Sequence, residues 1–262
     1  MKAFDYKTIF TNVEESLRLH FGLTINEFKE KYATLKALKF QQKSDQEYFD
    51  LLKMIVFYSG FNAATVTKKE ATINKYFGDF SKVAIYGDAM IAKILSDQEM
   101  IKNRKKVNAV IKNARKFLEI VKKHGSFHKY LESFSPTASF ENLMILKEEL
   151  GCQFDFLSGV TGFHFLMDIG LNVIKPDRVI TRIFKRLDLI ESEKQLLKTI
   201  FLGRQFAKAT GFPIRYIDIV FVTYGQQGDR NISEDGICLE KNPKCDICGV
   251  NAFCNYFIER MN

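Results

Sequence analysis

Four of the five cysteines lie close together near the end of the chain, as Cys238, Cys245, Cys248 and Cys254. Their spacing, C-x6-C-x2-C-x5-C, indicates one metal centre, because thiolate sulfur selects zinc or iron–sulfur clusters. Structural zinc sites usually contain two separated cysteine pairs, whereas this run has a single C-x2-C. The spacing therefore favours a 4Fe–4S cluster. Zinc, paired disulfides and free thiols are the alternatives.

Asp177 is the second residue whose position suggests chemistry, because it follows Pro176 and precedes the apolar and basic run Arg178–Phe184. An aspartate at this place is an ordinary helix N-cap. The same position also holds a carboxylate at the positive end of a helix and leaves one oxygen available for chemistry. The structural and the catalytic interpretation are therefore compatible.

A glycine-containing turn lies ahead of this aspartate, where Gly159 and Gly162 flank Val160 and Thr161. Glycines between two helices let the backbone approach another molecule closely, and the amides that begin the second helix can face a phosphate. The sequence thus predicts a sequence-neutral contact with a nucleic acid backbone. The alternative is a tight turn between two helices.

The composition places these residues on a globular, basic protein. The chain has 262 residues, of which 46% are hydrophobic, which is enough for one large or two small domains with a buried core. The formal charge is +8 at pH 7, so a polyanion such as nucleic acid is a plausible partner.

We expect a cytoplasmic protein, associated with the nucleoid if the source is bacterial. The first residues lack the apolar stretch of a secretory signal, and the longest uncharged apolar run, around Met54 to Ala64, is too short to span a bilayer. A reducing compartment also suits cysteines kept as thiolate ligands.

Helical periodicity dominates the rest of the chain and predicts an all-α fold. The capping box Ser44–Glu47 precedes a nearly all-apolar core helix, and Arg104–His124 reads as a long amphipathic helix with a basic outer face. One helix is expected over 63–77, and Ser96–Glu99 reads as another capping box. The best strand-like run, Asp218–Tyr224, can equally be a buried helix.

These motifs, in this order, resemble the helix-hairpin-helix (HhH-GPD) DNA glycosylase superfamily. The cysteine spacing, with the insert Lys241–Lys244, resembles the iron–sulfur loop of endonuclease III and adenine-mismatch glycosylases. Leu157–Gly162 is similar to the superfamily's hairpin, although Leu-Pro-Gly-Val-Gly has become Leu-Ser-Gly-Val-Thr-Gly. Lys175–Phe184 resembles the element that begins at the catalytic aspartate, with Asp177 as the counterpart.

A second resemblance concerns the substrate. Tyr58–Lys69 and the helix beginning at Arg104 look more like 3-methyladenine DNA glycosylase I than like endonuclease III. The zinc-binding ends of that family are absent. Its pocket glutamate falls near Ile55, and its pocket tryptophan has no counterpart in a chain without tryptophan.

Together the resemblances imply a two-lobed helical glycosylase fold with a C-terminal 4Fe–4S loop. We expect a helical barrel domain over residues 40–160, an iron–sulfur domain formed by residues 1–39 and 178–262, and the helix-hairpin-helix, residues 151–177, at the interface of the two. No internal repeat or long linker separates these parts.

The implied function is a monofunctional DNA glycosylase that flips a damaged base and hydrolyses its N-glycosidic bond, with an alkylated purine such as 3-methyladenine as the substrate. Bifunctional members carry a Schiff-base lysine in the hairpin, where this chain has Phe163 or His164, so we expect no lyase activity. The alternatives are an endonuclease III-like enzyme for oxidised or deaminated bases and a noncatalytic iron–sulfur protein that only binds DNA.

The expected partner is double-stranded DNA containing a damaged base, bound by a monomer. Besides Gly159, Thr161 and Gly162, we expect Lys241 and Lys244 to contact phosphates. Phe61, which follows Gly60, is the expected wedge that fills the gap left by the flipped nucleotide, with a buried loop phenylalanine as the alternative.

Overall fold

A computed structural model describes residues 5–61, 63–228 and 234–261. This part of the chain contains α-helices and two 3-10 helices but no strand, which confirms the predicted all-α class. None of the helices in these ranges is long and apolar enough to cross a membrane.

The chain divides into two compact units, which we call the central unit (residues 40–171) and the terminal unit (residues 1–39 and 172–262). The assignment of a barrel, an iron–sulfur domain and an interfacial hairpin to residue ranges stays a prediction, and residues 1–4 of the first segment lie outside the described residues.

The helices of the central unit follow one another with short connections. They are α4 (Asp45–Tyr58), α5 (Ala63–Lys68), α6 (Glu70–Phe77), α7 (Phe80–Val83), α8 (Asp88–Ser96), α9 (Arg104–His124), α10 (Phe127–Glu132), α11 (Phe140–Gln153) and α12 (Val160–Asp168).

The terminal unit combines the two ends of the chain. Its helices are α1 (Tyr6–His20), α2 (Ile25–Lys31), α3 (Ala33–Lys36), α13 (Arg178–Arg186), α14 (Leu196–Thr210), α15 (Ile214–Gly225) and α16 (Asn255–Met261), with 3-10 turns at Cys245–Ile247 and Asn251–Phe253.

The core of the central unit forms between α4 and α9, as the apolar patterns predict. Ser44 and Glu47 close the capping box of α4. On α9, Phe117 is fully buried and stacks on Phe127 with ring centroids 4.4 Å apart, while Phe49 meets it edge-on at 5.6 Å. Phenylalanine rings therefore supply the aromatic packing in this chain without tryptophan.

The terminal unit is held by a cluster of aromatic rings from four helices. Phe10 of α1, Phe184 of α13 and Phe206 of α14 surround Phe221 of α15, with centroid distances of 5.7, 5.4 and 5.1 Å. Asp218–Tyr224 lies within α15, so the buried-helix interpretation of this apolar run is confirmed.

Two local predictions are wrong. Ser96 ends α8, and its hydroxyl donates to the carbonyl of Lys93 (2.8 Å), so Ser96–Glu99 does not begin a helix. The next helix, α9, starts instead at the cap Asn103. Residues 63–77 form two helices, α5 and α6, which are interrupted at Lys69.

Two lysines of the central unit are buried, and their ammonium groups have different kinds of partner. Lys53 is paired with Asp50 and donates to the carbonyl of Phe77 (3.1 Å). Lys106, in the first turn of α9, is 3% exposed, and its ammonium binds backbone carbonyls at the end of α4. Burial lowers the pKa of Lys106 to about 8 from 10.5.

The Lys106 pKa predicts a pH-dependent stability difference between the wild type and Lys106→Met. Between pH 8 and 10.5 the unfolded chain binds more protons at this lysine than the folded chain does, so the wild type gains stability as pH rises. We expect its free energy of unfolding, measured by urea denaturation, to rise by up to about 3 kcal/mol relative to the variant. The exposed-lysine control Lys82→Met should show no such change, and a pH-independent difference for Lys106→Met would contradict the assignment.

Candidate active site and cysteine loop

Asp177 is the N-cap of α13, as the sequence predicts. One carboxylate oxygen, Oδ1, accepts hydrogen bonds from the amides of Val179 (3.0 Å) and Ile180 (3.1 Å). The other oxygen, Oδ2, lies 3.4 Å from Nζ of Lys175. The Asp177 side chain is 22% exposed, so it is accessible from outside the terminal unit's core. The cap therefore fixes the carboxylate through one oxygen only.

The second half of α13 binds the segment that carries the first cysteine. Arg182 donates to the carbonyls of Gly225 (2.5 Å) and Cys238 (3.3 Å). Arg186 donates to the carbonyl of Leu239 (2.7 Å) and to the Cys238 sulfur (3.2 Å). The nine-residue helix α13 thus has Asp177 as its N-cap, and residues of its second half contact the cysteine segment.

The four clustered cysteines line the wall of a single cavity. Tyr224 of α15 donates to the Cys248 sulfur at 3.0 Å, as Arg186 does to the Cys238 sulfur. Burial raises the pKa of the thiols of Cys248 and Cys254. Within the described ranges, no three His, Cys, Asp or Glu side chains are arranged to hold one metal ion. The fifth cysteine, Cys152, is exposed and belongs to the central unit.

Close packing against α1 holds the middle of the cysteine loop. The amide of Gly249 donates to the Ser16 hydroxyl (2.9 Å), and its carbonyl accepts from the side-chain amide of Asn12 (3.1 Å). A Cβ at position 249 would lie 2.3 Å from the Ser16 oxygen, so no larger residue fits without movement. The loop is therefore fixed by contacts far away in sequence.

The two predicted phosphate-binding lysines of this loop differ in their surroundings. Lys241 is exposed. Lys244 is partly buried, and its ammonium lies 3.1 Å from both the His20 ring nitrogen and the carbonyl of Asp235. This contact of Lys244 could not be predicted from the sequence, because His20 lies 224 positions away.

The predicted hairpin turn lies between α11 and α12 in the central unit. Gly159 is exposed and caps α12 with φ of +60°, a conformation that favours glycine. Gly162 lies inside the first turn of α12, where a Cβ would stand 2.5 Å from the carbonyl of Leu157. The Thr161 hydroxyl donates to the carbonyl of Ser158 (2.6 Å). Gly159 thus allows the left-handed backbone of the turn, and Gly162 allows α12 to pack closely on the carbonyl of Leu157.

No amine occupies the hairpin positions at which the bifunctional superfamily members have their lysine. Phe163 is buried beneath the ammonium of Lys147, at 5.4 Å from its ring centroid. His164 pairs with Asp168 one turn along α12 at 3.1 Å. The helix α12 itself contains no lysine.

Phe61 lies at the end of the turn that follows α4, and its side chain is 38% exposed. Its amide donates to the carbonyl of Tyr58 (3.1 Å), and Gly60 has φ of +72°. Ile55, at the position of the expected pocket glutamate, is 2% exposed. The exposure of Phe61 favours the predicted wedge over the buried alternative, although its role stays a prediction.

The candidate residues therefore fall into two groups. Asp177, the four clustered cysteines and the two loop lysines belong to the terminal unit. Phe61 and the hairpin residues Gly159, Thr161 and Gly162 belong to the central unit. Sequence reasoning missed Arg182, Arg186 and Tyr224 as partners of the cysteine segment, because a basic or aromatic residue in a helix has no local signal of such a contact.

Known DNA glycosylases are similar to this chain in sequence and in structure. Residues 38–152 match the sequence model of the methyladenine glycosylase family. The 8-oxoguanine glycosylase/lyase of Methanocaldococcus jannaschii, solved with DNA containing 8-oxoguanine, is 17% identical, with a TM-score of 0.52 and 80% of this chain and 94% of that chain covered. The 8-oxoguanine DNA glycosylase of Thermotoga maritima is 18% identical, with a TM-score of 0.51 and coverages of 80% and 95%.

A third structure, the 3-methyladenine DNA glycosylase I of Staphylococcus aureus, is 24% identical, with a TM-score of 0.42 and coverages of 50% of this chain and 79% of that chain. The likeness to the two 8-oxoguanine enzymes extends over most of both chains. These two enzymes therefore share the fold of this chain.

The cap geometry predicts that Asp177→Asn and Asp177→Ala differ in stability. An asparagine oxygen can still accept from the amides of Val179 and Ile180, whereas alanine leaves both without this partner. We expect Asp177→Ala to lose about 1 kcal/mol of unfolding free energy and Asp177→Asn to lose less than half of that. Equal stability of the two variants in urea denaturation would show that the cap bonds contribute nothing.

Proposed function

We propose that this protein is a monofunctional base-excision DNA glycosylase that flips an alkylated purine, such as 3-methyladenine, out of double-stranded DNA and hydrolyses its N-glycosidic bond. The match of residues 38–152 to the methyladenine glycosylase family and the superfamily fold support this proposal. The protein acts as a monomer.

The observation that carries the catalytic part is the geometry of Asp177. Its carboxylate is held by the amides of α13 through Oδ1, and among the described residues Oδ2 has the ion pair to Lys175. A preorganised negative charge stabilises an oxocarbenium-like sugar without reorganisation. The C1′–N bond breaks with its electron pair leaving on the base, and water adds to C1′ as the carboxylate assists loss of its proton.

The substrate class follows from the chemistry of the leaving group. A purine alkylated at N3 or N7 is cationic and already activated, so it leaves without a strong general acid. Aromatic side chains bind such a cation through their ring faces. Ile55, buried where the related family has its glutamate, agrees with a pocket that relies on aromatic and apolar contacts.

We also propose that Cys238, Cys245, Cys248 and Cys254 hold a 4Fe–4S cluster. The four thiols surround one cavity, and Tyr224 and Arg186 direct polar hydrogens at two of the sulfurs. Each thiolate of such a cluster binds a different iron, which suits sulfurs placed around a cavity rather than at one point. When bound, the cluster ties the loop together, since metal binding contributes folding free energy.

The experiment that tests the function is a lesion panel. We expect the protein to release free 3-methyladenine from DNA treated with dimethyl sulfate, detected by mass spectrometry, and to release little 8-oxoguanine from an oxidised duplex. Preferential release of 8-oxoguanine or of a damaged pyrimidine would favour the alternative enzyme. Tight DNA binding without release of any base would favour the noncatalytic alternative.

The product should be an intact abasic strand, because α12 offers no amine to attack C1′. Strand cleavage should require added alkali or heat, and borohydride should trap no covalent adduct. A trapped adduct would point to another amine, and Lys175, 3.4 Å from the Asp177 carboxylate, would be the first to replace.

If the four cysteines hold a 4Fe–4S cluster, the protein should be brown, contain iron and sulfide, and absorb broadly at about 400 nm. Cys245→Ser should lose iron and stability together, while the matched control Cys152→Ser, an exposed cysteine outside the cavity, should lose neither. A colourless protein with one zinc per chain, prepared without oxygen, would contradict the cluster.

The two loop lysines should contribute unequally to DNA binding. Lys241 is exposed and available for a phosphate, whereas Lys244 is engaged with His20 and Asp235. We expect Lys241→Ala to lower the slope of log affinity against log salt by about one, and Lys244→Ala to change it by less than half as much. An unchanged slope for Lys241→Ala would remove this residue from the interface.

A further inference from the structure

The ammonium of Lys106 lies between two aromatic rings of the central unit. Its Nζ is 5.1 Å from the ring centroid of Phe61 and 4.9 Å from that of Phe156. The same atom donates to the carbonyls of Val56, Phe57 (3.3 Å) and Ser59 (2.6 Å). All three protons of the ammonium therefore have acceptors at the end of α4, and its charge faces both rings.

The two rings belong to segments that are distant in sequence. Phe61 ends the turn after α4, where Gly60 adopts a left-handed conformation. Phe156 has φ of +65° and directly precedes Leu157, which begins the hairpin turn. Lys106 thus contacts both the turn that presents Phe61 and the turn that leads into α12.

Asn113, two turns further along α9, holds the second of these segments by backbone contacts. Its side-chain amide donates to the carbonyl of Asp155 (2.9 Å), and its oxygen accepts from the Asp155 amide (2.8 Å). Asn113 is 1% exposed, so these bonds are shielded from water. The helix α9 consequently anchors both segments, and Lys106 contacts the aromatic ring of each.

We propose that Lys106 is a positioning residue for strand separation, which holds Phe61 in the orientation needed to enter the base stack when a nucleotide is flipped. This inference rests on the proposed function and adds a role for a buried cation that takes no part in bond cleavage.

The physical reason is the entropy of an exposed aromatic side chain. A ring that is 38% exposed loses rotamer freedom when it inserts into DNA, and that loss weakens binding. A desolvated cation over the ring face restricts the side chain beforehand. The turn itself is restricted by the carbonyl bonds of Lys106 to Val56 and Ser59.

The proposal predicts a defect confined to paired DNA. With one methylated oligonucleotide, tested single-stranded and annealed to its complement, Lys106→Met should lower kcat/KM on the duplex about tenfold and on the single strand less than about twofold. Lys53→Met, which removes another buried lysine of the same unit, should lower both rates by the same factor. Equal loss on both substrates for Lys106→Met would overturn the proposal.

A double-mutant cycle tests the coupling to the ring. If Lys106 acts through Phe61, the duplex defect of Phe61→Ala should not increase further when Lys106→Met is added. Additive losses would mean that Lys106 acts independently of Phe61. If Lys106→Met does not fold, Lys106→Gln takes its place, since it keeps amide hydrogens for the carbonyls at the end of α4 but removes the charge that faces Phe61, and it should reduce duplex activity alone by about threefold. Wild-type activity of Lys106→Gln on the duplex would then overturn the proposal.

Base unstacking provides a readout that does not depend on catalysis. With 2-aminopurine beside an abasic site in a duplex, Asp177→Asn protein should raise the fluorescence on binding, and Lys106→Met in that background should raise it less at saturation. A full fluorescence increase in the double variant would refute the positioning role. A protein that unstacks DNA but releases no base would instead refute the proposed function alone.

Discussion

The geometry of the candidate active site depends on the hydrogen bonds between the Asp177 carboxylate and the amides of Val179 and Ile180 in α13. These bonds fix where the helix begins, and the helix has only nine residues. Because Arg182 and Arg186 lie on the same helix, its start also determines where their guanidinium groups reach the cysteine segment. A single short helix therefore couples the orientation of the candidate catalytic carboxylate to the path of the loop that carries the cysteines.

Close packing of α13 on α15 makes this coupling rigid. A Cβ at Gly225 would lie 2.7 Å from the Val179 side chain and 2.8 Å from that of Ile183, so the two helices approach without a side chain between them. The carbonyl of Gly225 accepts from Arg182, and Tyr224, one residue earlier, reaches the Cys248 sulfur. The proposed cluster would thus have a structural role, since the loop that it would tie together packs on the helix that presents Asp177.

Features with a local signal could be predicted from the sequence. The capping box at Ser44 and the start of α13 at Asp177 follow from side chains that bond to nearby backbone, and α9 ends at Gly125 because this glycine adopts a left-handed conformation. The all-helical class followed from periodicity. The strand-like run in α15 stayed ambiguous, because a helix buried on most sides loses its polar face.

Features that depend on distant parts of the chain could not be predicted. Lys244 was expected to contact phosphate, yet its ammonium meets His20 of α1. Lys106 belongs to a basic run and reads as solvated, but it is buried because α4 ends beside it and leaves carbonyls to satisfy. In both cases the fold decides which lysine stays exposed.

We propose that Asp177 acts on the sugar as a fixed negative charge and that its capping role is separable from catalysis. The most direct measurement is the single-turnover rate of base release from a methylated duplex by the wild type and by Asp177→Asn, with DNA affinity and unfolding free energy measured for both. We expect the rate for Asp177→Asn to be lower by about two to three orders of magnitude, with DNA affinity and stability nearly unchanged. Base release by Asp177→Asn at the wild-type rate would exclude Asp177 from catalysis.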